Sequence, residues 1–386
     1  MAVTVRNLFK NGAFLYKMNL LAGKGGLDNP VQWVHRIEDI GSKNFLHGNE
    51  LVFTAGILNG RDGWLLDITR ELNETGASAL VVKMGSHTQE IPAAVVEYCN
   101  TVNLPLFTIP WETKMVDMSK DFCQRIIQNE RRENTIMSVM KNIIFKVGDI
   151  ETQVLQMERY GFQRNSPFCF ITVQAGDAGS LPADELQAAL KSAAERAARD
   201  RDGLFVTFTY NECRVLVLAN YADDAVGVYL EEFLQLAGRR LPGVRLHIGV
   251  SPNQTGIYDQ NVNLEKALSA MEMAQKRGET AAYYDRLGIH KVLYAVQDKS
   301  VLRSFYHETI GKLEQYDREN GTGLMPFLKD YLDNNGSLQL VADKHFVHRN
   351  TVTNQLNRIK GITGLSPFEL ADKVKLAMGF YIKDIT

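Results

Sequence analysis

Cysteine is scarce, with four residues (Cys99, Cys123, Cys169 and Cys213) in a chain of 386. They are scattered, with no C-x-x-C pair, so the sequence offers neither a disulfide framework nor a thiolate metal site. Four free, buried thiols in a reducing compartment are expected instead. Long apolar runs are also missing. None approaches the roughly eighteen residues that a membrane helix needs, so no membrane partner is expected. Met1 to Lys10 mixes Arg6, Asn7 and Lys10 with apolar residues and lacks the apolar core and cleavage site of a secretory leader. A cytoplasmic location follows as the expectation. No charge sign dominates: the net charge is −2, so any basic surface must be local. Catalytic signatures are absent too, with no G-x-S-x-G and no H-E-x-x-H. The cluster Ala22-Gly23-Lys24-Gly25-Gly26 lacks the spacing and the following Ser or Thr of a phosphate loop. No catalytic residue, metal or cofactor is expected.

What is present is a 45% hydrophobic chain long enough for two or three domains. Residues 1–112 alternate strand-like runs (Val31–Ile37, Leu51–Thr54, Ala79–Val82, Leu104–Ile109) with helical spacing at Trp64–Asn73 and Ile91–Asn100. This alternation predicts an α/β domain with mainly parallel strands. Residues 113–159 read as a helical linker. Met115, Met118, Phe122 and Ile126, then Ile136, Met140, Ile143 and Val147, recur at helical steps with no Gly or Pro between. The stripe must be covered, either by the chain's own domains or in a dimeric coiled coil. Residues 160–298 read as strand Phe168–Val173, helix Leu186–Ala198, strands Leu204–Tyr210 and Arg214–Ala219 joined at Asn211-Glu212-Cys213, helix Val226–Ala237, strand Val244–Val250 and helix Asn263–Lys276. That order resembles a ferredoxin-like α/β plan. Residues 299–386 read as all-α.

The helical region carries the most legible chemistry. Ser337 precedes a short helix, about 338–344, bearing Leu338, Leu340, Val341 and Ala342. A tight connection from His345 to His348 leads to a second helix over about 349–360. Val352, Leu356 and Ile359 fall on its inner face, and Asn350, Asn354 and Asn357 on its outer face, flanked by Thr351, Thr353 and Arg358. The pattern is that of a helix-turn-helix at about 338–360. Asparagine suits paired hydrogen bonds to adenine, and arginine suits guanine or phosphate. From Lys344 to Pro367 there are four Lys or Arg and no Asp or Glu, a local basic patch with His345 and His348 beside it. Asn350 can equally serve as a helix N-cap. Gly361 is expected to close this helix. Ser366-Pro367-Phe368-Glu369 is expected to start the last one, which would bury Leu370, Val374, Leu376, Ala377 and Phe380 and either support the second helix or form a dimer surface.

Phe346-Val347-His348-Arg349-Asn350-Thr351-Val352, with Leu356, Arg358-Ile359 and Thr363-Gly364-Leu365, resembles the C-terminal domain of the PucR/CdaR bacterial transcription regulators. Leu21-Ala22-Gly23, Gly26-Leu27-Asp28, Val31-Gln32-Trp33-Val34 and Gly48-Asn49-Glu50-Leu51-Val52 resemble the purine-catabolism domain of the PucR branch. The middle region resembles the degenerate GGDEF-like domain between the two. Thr353-Asn354-Gln355 departs from the Arg-Tyr-Arg type of run common in relatives. The resemblance implies double-stranded DNA as partner, a small-molecule effector such as a purine or its breakdown product, and a homodimer or larger homo-oligomer. A cyclase in the middle domain is not expected, because Phe170-Ile171-Thr172-Val173-Gln174 supplies no carboxylate for the metals such chemistry needs.

Ligand pockets in α/β domains gather at the carboxyl ends of the strands. Glu50, Thr54, Gly56, Lys83 and Trp111 are the effector candidates by that rule. The rival readings are a sensory or scaffold protein that no longer binds specific DNA, a regulator of amino-acid catabolism, and a nucleotide enzyme.

Overall fold

The computed structural model describes residues 3–38, 46, 48–57, 63–85, 87–176, 181–199 and 201–385. The chain divides into two compact units, Met1–Met140 and Lys141–Thr386.

The first unit runs α1 (Val5–Leu15), β1 (Asn19–Ala22), β2 (Trp33–Arg36), β3 (Glu50–Thr54), α2 (Trp64–Glu74), β4 (Ala79–Lys83), α3 (Ala93–Val102), β5 (Leu106–Ile109) and α4 (Met115–Ile144), which continues four residues past the unit's end. The strand order is β1-β5-β4-β3-β2, parallel from β2 to β5, with β1 antiparallel on the edge. Every residue of β3 is buried, as expected of a central strand covered on both faces. The alternation of its side chains divides the core. Leu51 and Phe53 face α1 and the first half of α4, through Leu8, Met118 and Phe122. Val52 faces α2 and α3, through Leu65, Ile68 and Val95. The early stripe of α4 is thus covered within its own unit, while Val147 lies beyond the helix and is exposed. Neither α1 nor β1 is expected from the sequence. Helix α1 starts with a capping box in which Thr4 and Asn7 exchange hydrogen bonds.

The second unit begins with α5 (Ile150–Glu158) and continues β6 (Pro167–Ala175), α6 (Ala183–Ala197), β7 (Leu204–Tyr210), β8 (Cys213–Ala219), α7 (Asp223–Arg240), β9 (Leu246–Val250), β10 (Gln254–Thr255), α8 (Gln260–Arg277) and β11 (Ala281–Tyr283). Its sheet has the order β11-β9-β6-β8-β7, with β10 paired to β6. From β6 to β9 the connectivity is β-α-β-β-α-β, with antiparallel neighbours. The β7–β8 turn has two residues, Asn211 and Glu212, both at positive φ, so Cys213 belongs to the strand. Helices α6 and α7 cover one face of the sheet. Helix α8 lies on the other, where the Thr172 hydroxyl donates to the Ala267 carbonyl at 3.0 Å.

Helices α9 (His290–Ala295), α10 (Lys299–Tyr306), α11 (Lys312–Asn320), α12 (Leu324–Asp333), α13 (Leu338–His345), α14 (Arg349–Thr363) and α15 (Leu370–Lys383) complete this unit, with a π-helical segment, His307–Gly311, between α10 and α11. Their core joins Ile310, Leu328, Val341, Val352, Leu356, Ile359 and Leu376. Gly379 lets α15 lie against the π-helical segment. A Cβ there would stand 2.7 Å from the Thr309 hydroxyl and 2.9 Å from an Ile310 side-chain carbon.

Three expectations for this region are corrected. Helix α14 does not stop at Gly361. The inner stripe continues to the buried Thr363, and the chain turns at Gly364, φ +76°. Helix α15 starts at Leu370 rather than Pro367, because the Asp372 carboxylate accepts the Ser366 N–H at 3.0 Å and holds residues 367–369 as a turn. Leu376 is buried, but Leu370 and Val374 are 76% and 53% exposed. Three of the cysteines are buried and Cys123 is half-buried; all four are unbridged. Burial pushes the Cys99 and Cys169 thiols up to about 12, which removes them as nucleophiles at neutral pH. Among the described residues no helix is long and apolar enough to cross a membrane.

Candidate nucleic-acid interface and effector site

Helix α13 is capped by the Ser337 hydroxyl, which accepts the Leu340 N–H at 3.3 Å. It ends at Phe346 in the left-handed conformation, φ 54° and ψ 41°. Three residues later α14 begins. Val341 and Ala342 on α13 share a core with Val352 and Leu356 on α14, which fixes the pair of helices. His348 is the N-cap of α14: its Nδ1 accepts the Asn350 N–H at 3.3 Å. The capping role considered for Asn350 therefore belongs to His348, and the Asn350 side chain is exposed.

Arg349, Asn350, Thr351, Asn354 and Asn357 are all exposed with His348 on or beside the outer face of α14. Thr353 is half-buried and returns its hydroxyl to the Arg349 carbonyl at 3.2 Å. Arg358 leans toward α11. Its guanidinium lies 5.3 Å from the centre of the Tyr316 ring, and Nη2 donates to the Tyr316 hydroxyl at 2.7 Å. The basic patch is also partly neutralised from within. Asp330 on α12 binds Lys344 at 2.5 Å and His345 at 2.8 Å. The Lys344 hydrogen bond, against partial burial and with help from His345, holds the Asp330 carboxyl below its ordinary value. Sequence distance hides both Asp330 and Tyr316 from a reading of residues 344–367 alone.

In the first unit, Thr54, Gly56, Lys83 and Trp111 lie at or beyond the carboxyl ends of parallel strands. The Thr54 hydroxyl is buried and accepts the Gly56 N–H at 3.3 Å. Gly56 has φ +70°, and a Cβ there would stand 2.6 Å from the Thr88 hydroxyl and 2.7 Å from the Trp64 ring, so the position demands glycine. Lys83 places its ammonium 4.5 Å from the centre of the Trp111 ring, which is 43% exposed and has His87 beside it at 6.1 Å. Glu50 does not join this group. It opens β3 at the amino end, buried, about 13 Å of strand away from Thr54. The acid at the carboxyl end is Glu38, which the sequence reading missed. It accepts the N–H groups of Ala55 at 3.4 Å and Ile57 at 3.1 Å, and pairs with Arg36 at 2.7 Å. Its position directly after the Val31–Ile37 run was the available signal.

Among the described residues no group of three or more His, Cys, Asp or Glu is placed to hold a metal ion. Residues 324–382 match the PucR C-terminal helix-turn-helix domain, and residues 7–126 match the purine catabolism regulatory protein-like family. The chain is thus similar to PucR-type regulators at both ends. The PucR-type match at the front spans the whole parallel sheet, and the one at the back spans α12 to most of α15. Three relatives come from Bacillus subtilis (strain 168). The proline-responsive transcriptional activator PutR is 22% identical over 63% of this chain and 60% of its own length. The purine catabolism regulatory protein is 27% identical over 37% of this chain and 30% of its own length. The DNA-binding transcriptional activator AdeR is 25% identical over 28% of this chain and 27% of its own length. The chain thus matches 60% or less of the length of these curated relatives. The names of the matched families and of these relatives are those of regulatory proteins.

Proposed function

We propose that the protein is a cytoplasmic, effector-responsive transcription regulator that binds double-stranded DNA as a homodimer. The observation that carries this reading is α14, which turns Asn350, Asn354 and Asn357 outward from a helix-turn-helix core whose inner stripe is fully buried. In such a helix the first residues enter the major groove and the asparagines read adenine edges, while Arg349 holds phosphate. His348, Thr351 and Thr353 line the same approach, and Arg358 serves it from its seat on Tyr316. A two-fold operator calls for two copies.

Residues 1–112, extended by the part of α4 that completes their core, are the effector-sensing domain. Thr54, Gly56, Lys83, Trp111 and Glu38 form its pocket rim, and a planar ring with N–H donors fits a carboxylate and an indole there. The effector is a purine, a purine breakdown product or a related nitrogen compound, and the genes controlled are those of its catabolism. The names of the relatives give both a purine and a proline precedent. Residues 113–159 are a helical linker and 160–298 a GGDEF-like domain of ferredoxin-like plan. Its β-α-β-β-α-β order supports the fold, and β6, without a carboxylate, supports relay rather than catalysis. Residues 299–386 are the DNA-binding domain.

The test is a mobility-shift titration of the full chain on the DNA upstream of its own gene, at several salt concentrations, with calorimetry against purines, their breakdown products and proline. Retardation that weakens with salt supports the reading, and retardation absent at low salt sinks it. One observation favours the scaffold alternative: Lys344, Thr353 and Arg358 all have partners within the protein, which lowers the attraction left for phosphate.

A further inference from the structure

Phe346 combines two unfavourable features at one position. Its ring is 96% exposed, and its backbone is left-handed, where any Cβ-bearing residue is disfavoured and a bulky one most. Glycine would satisfy the turn without either, and asparagine at a smaller backbone cost and with no exposed apolar ring. Nothing within the fold recovers the loss, because the hydrogen bonds at this turn come from backbone: the Phe346 N–H donates to Asp343 at 3.3 Å and the Val347 N–H to Ala342 at 3.0 Å. The ring stands between α13 and α14, two residues before the His348 cap and three before the exposed Arg349. Leu340 and Val347 are also exposed, at 54% and 37%, and so extend the apolar character of this turn. Asp343, three residues earlier in the chain, is already engaged by the Gln339 amide at 2.8 Å.

We infer that Phe346 is a DNA-contacting residue, whose ring packs on a thymine methyl group and the adjoining deoxyribose at the edge of the major groove. The inference rests on the DNA-binding reading above and adds an apolar contact to its polar set. The start of a recognition helix is the part that reaches base edges, so the turn just before it meets the groove wall. The thymine methyl is the apolar feature of that groove. The exposed Arg349, three residues on, brings the ring to a surface that a neutral apolar patch would not approach.

The experiment uses the full chain and a duplex of the DNA upstream of its own gene. F346G and F346N are expected to unfold at the same temperature as the wild type or higher, yet to bind roughly ten- to a hundredfold more weakly, with the salt dependence unchanged. F346Y should stay within a few-fold of wild type. Replacing thymines by deoxyuridine, one at a time, should weaken the wild type at one position and leave F346G unaffected there. Equal binding by F346G and wild type overturns the inference while leaving DNA binding intact. A lowered unfolding temperature in both F346G and F346N overturns it in favour of a packing role. A change of oligomeric state without a change in affinity overturns it in favour of self-association. Absence of binding by the wild type removes the DNA reading itself, and this inference with it.

Discussion

Asp330 on α12 and Lys344 on α13 lie 2.5 Å apart, oxygen to nitrogen, and the same carboxylate takes His345 through its other oxygen. The carboxylate ties the first helix of the helix-turn-helix to the helix before it, and it neutralises a lysine beside the outer face of α14. Asp330→Asn should therefore strengthen DNA binding and steepen its salt dependence by about one counterion, at a stability loss of about 0.5–1 kcal/mol for a partly exposed pair. Mobility shifts at graded salt and denaturant titration measure the two effects.

The same pair sets a pH dependence. The folded-state pKa of Asp330 is lowered from 3.8, so its stabilising contribution is fully present above about pH 4 and is lost as pH falls through the lowered value. Acid unfolding followed by circular dichroism should show the wild type and Asp330→Asn converging in stability at the acid end of the titration. A constant gap would refute the assignment.

Two substitutions on α14 should separate positioning from base reading. Arg349→Ala should weaken binding to every duplex and reduce the salt slope by about one. Asn354→Ala should lose about 1–3 kcal/mol on the specific duplex and little on an unrelated one. If Asn354→Ala loses equally on both, it does not read bases.

Inside the same helix, Leu356 is fully buried. Leu356→Ala should destabilise the second unit by about 2–5 kcal/mol. Asn357→Ala, one residue along and exposed, should stay within about 0.5 kcal/mol in denaturant unfolding.

At the front, Lys83→Ala and Trp111→Ala should abolish the heat of effector binding while the fold remains. Glu50→Gln, at the far end of β3, should leave that heat unchanged. A response lost in Glu50→Gln and kept in Lys83→Ala would place the pocket at the wrong end of the sheet.

The parts that were legible in the sequence are those where periodicity alone suffices. The parallel strands announce themselves by apolar runs such as Ala79–Val82, and α14 by Val352, Leu356 and Ile359. Edges are harder. Strand β1 is short and half exposed, and the capping box of α1 has Asn7 at its third position where a Glu or Gln would be the usual signal. Apolar residues also crowd a helix without saying which face is covered: Leu370 and Val374 lie one turn apart on one side, Leu376 points well away from them, and of the three only Leu376 meets the core. Gly361 is expected to close α14, and the helix runs on to Thr363 because that side chain is buried, a tertiary fact. Glu50 was misplaced because strand direction matters. A residue that opens a parallel strand and one that follows it sit at opposite ends of the sheet, and Glu38 occupies the end assigned to Glu50.

The missing side chain at Gly379 has a genetic consequence. A methyl group there would press on Thr309 and Ile310, and overpacking of this kind costs about 1–3 kcal/mol. That is enough to loosen α15, and with it the Leu376 anchor in the core it shares with α14. Gly379→Ala is thus a rational conditional allele, which would let a cell carry this protein at low temperature and lose it on warming.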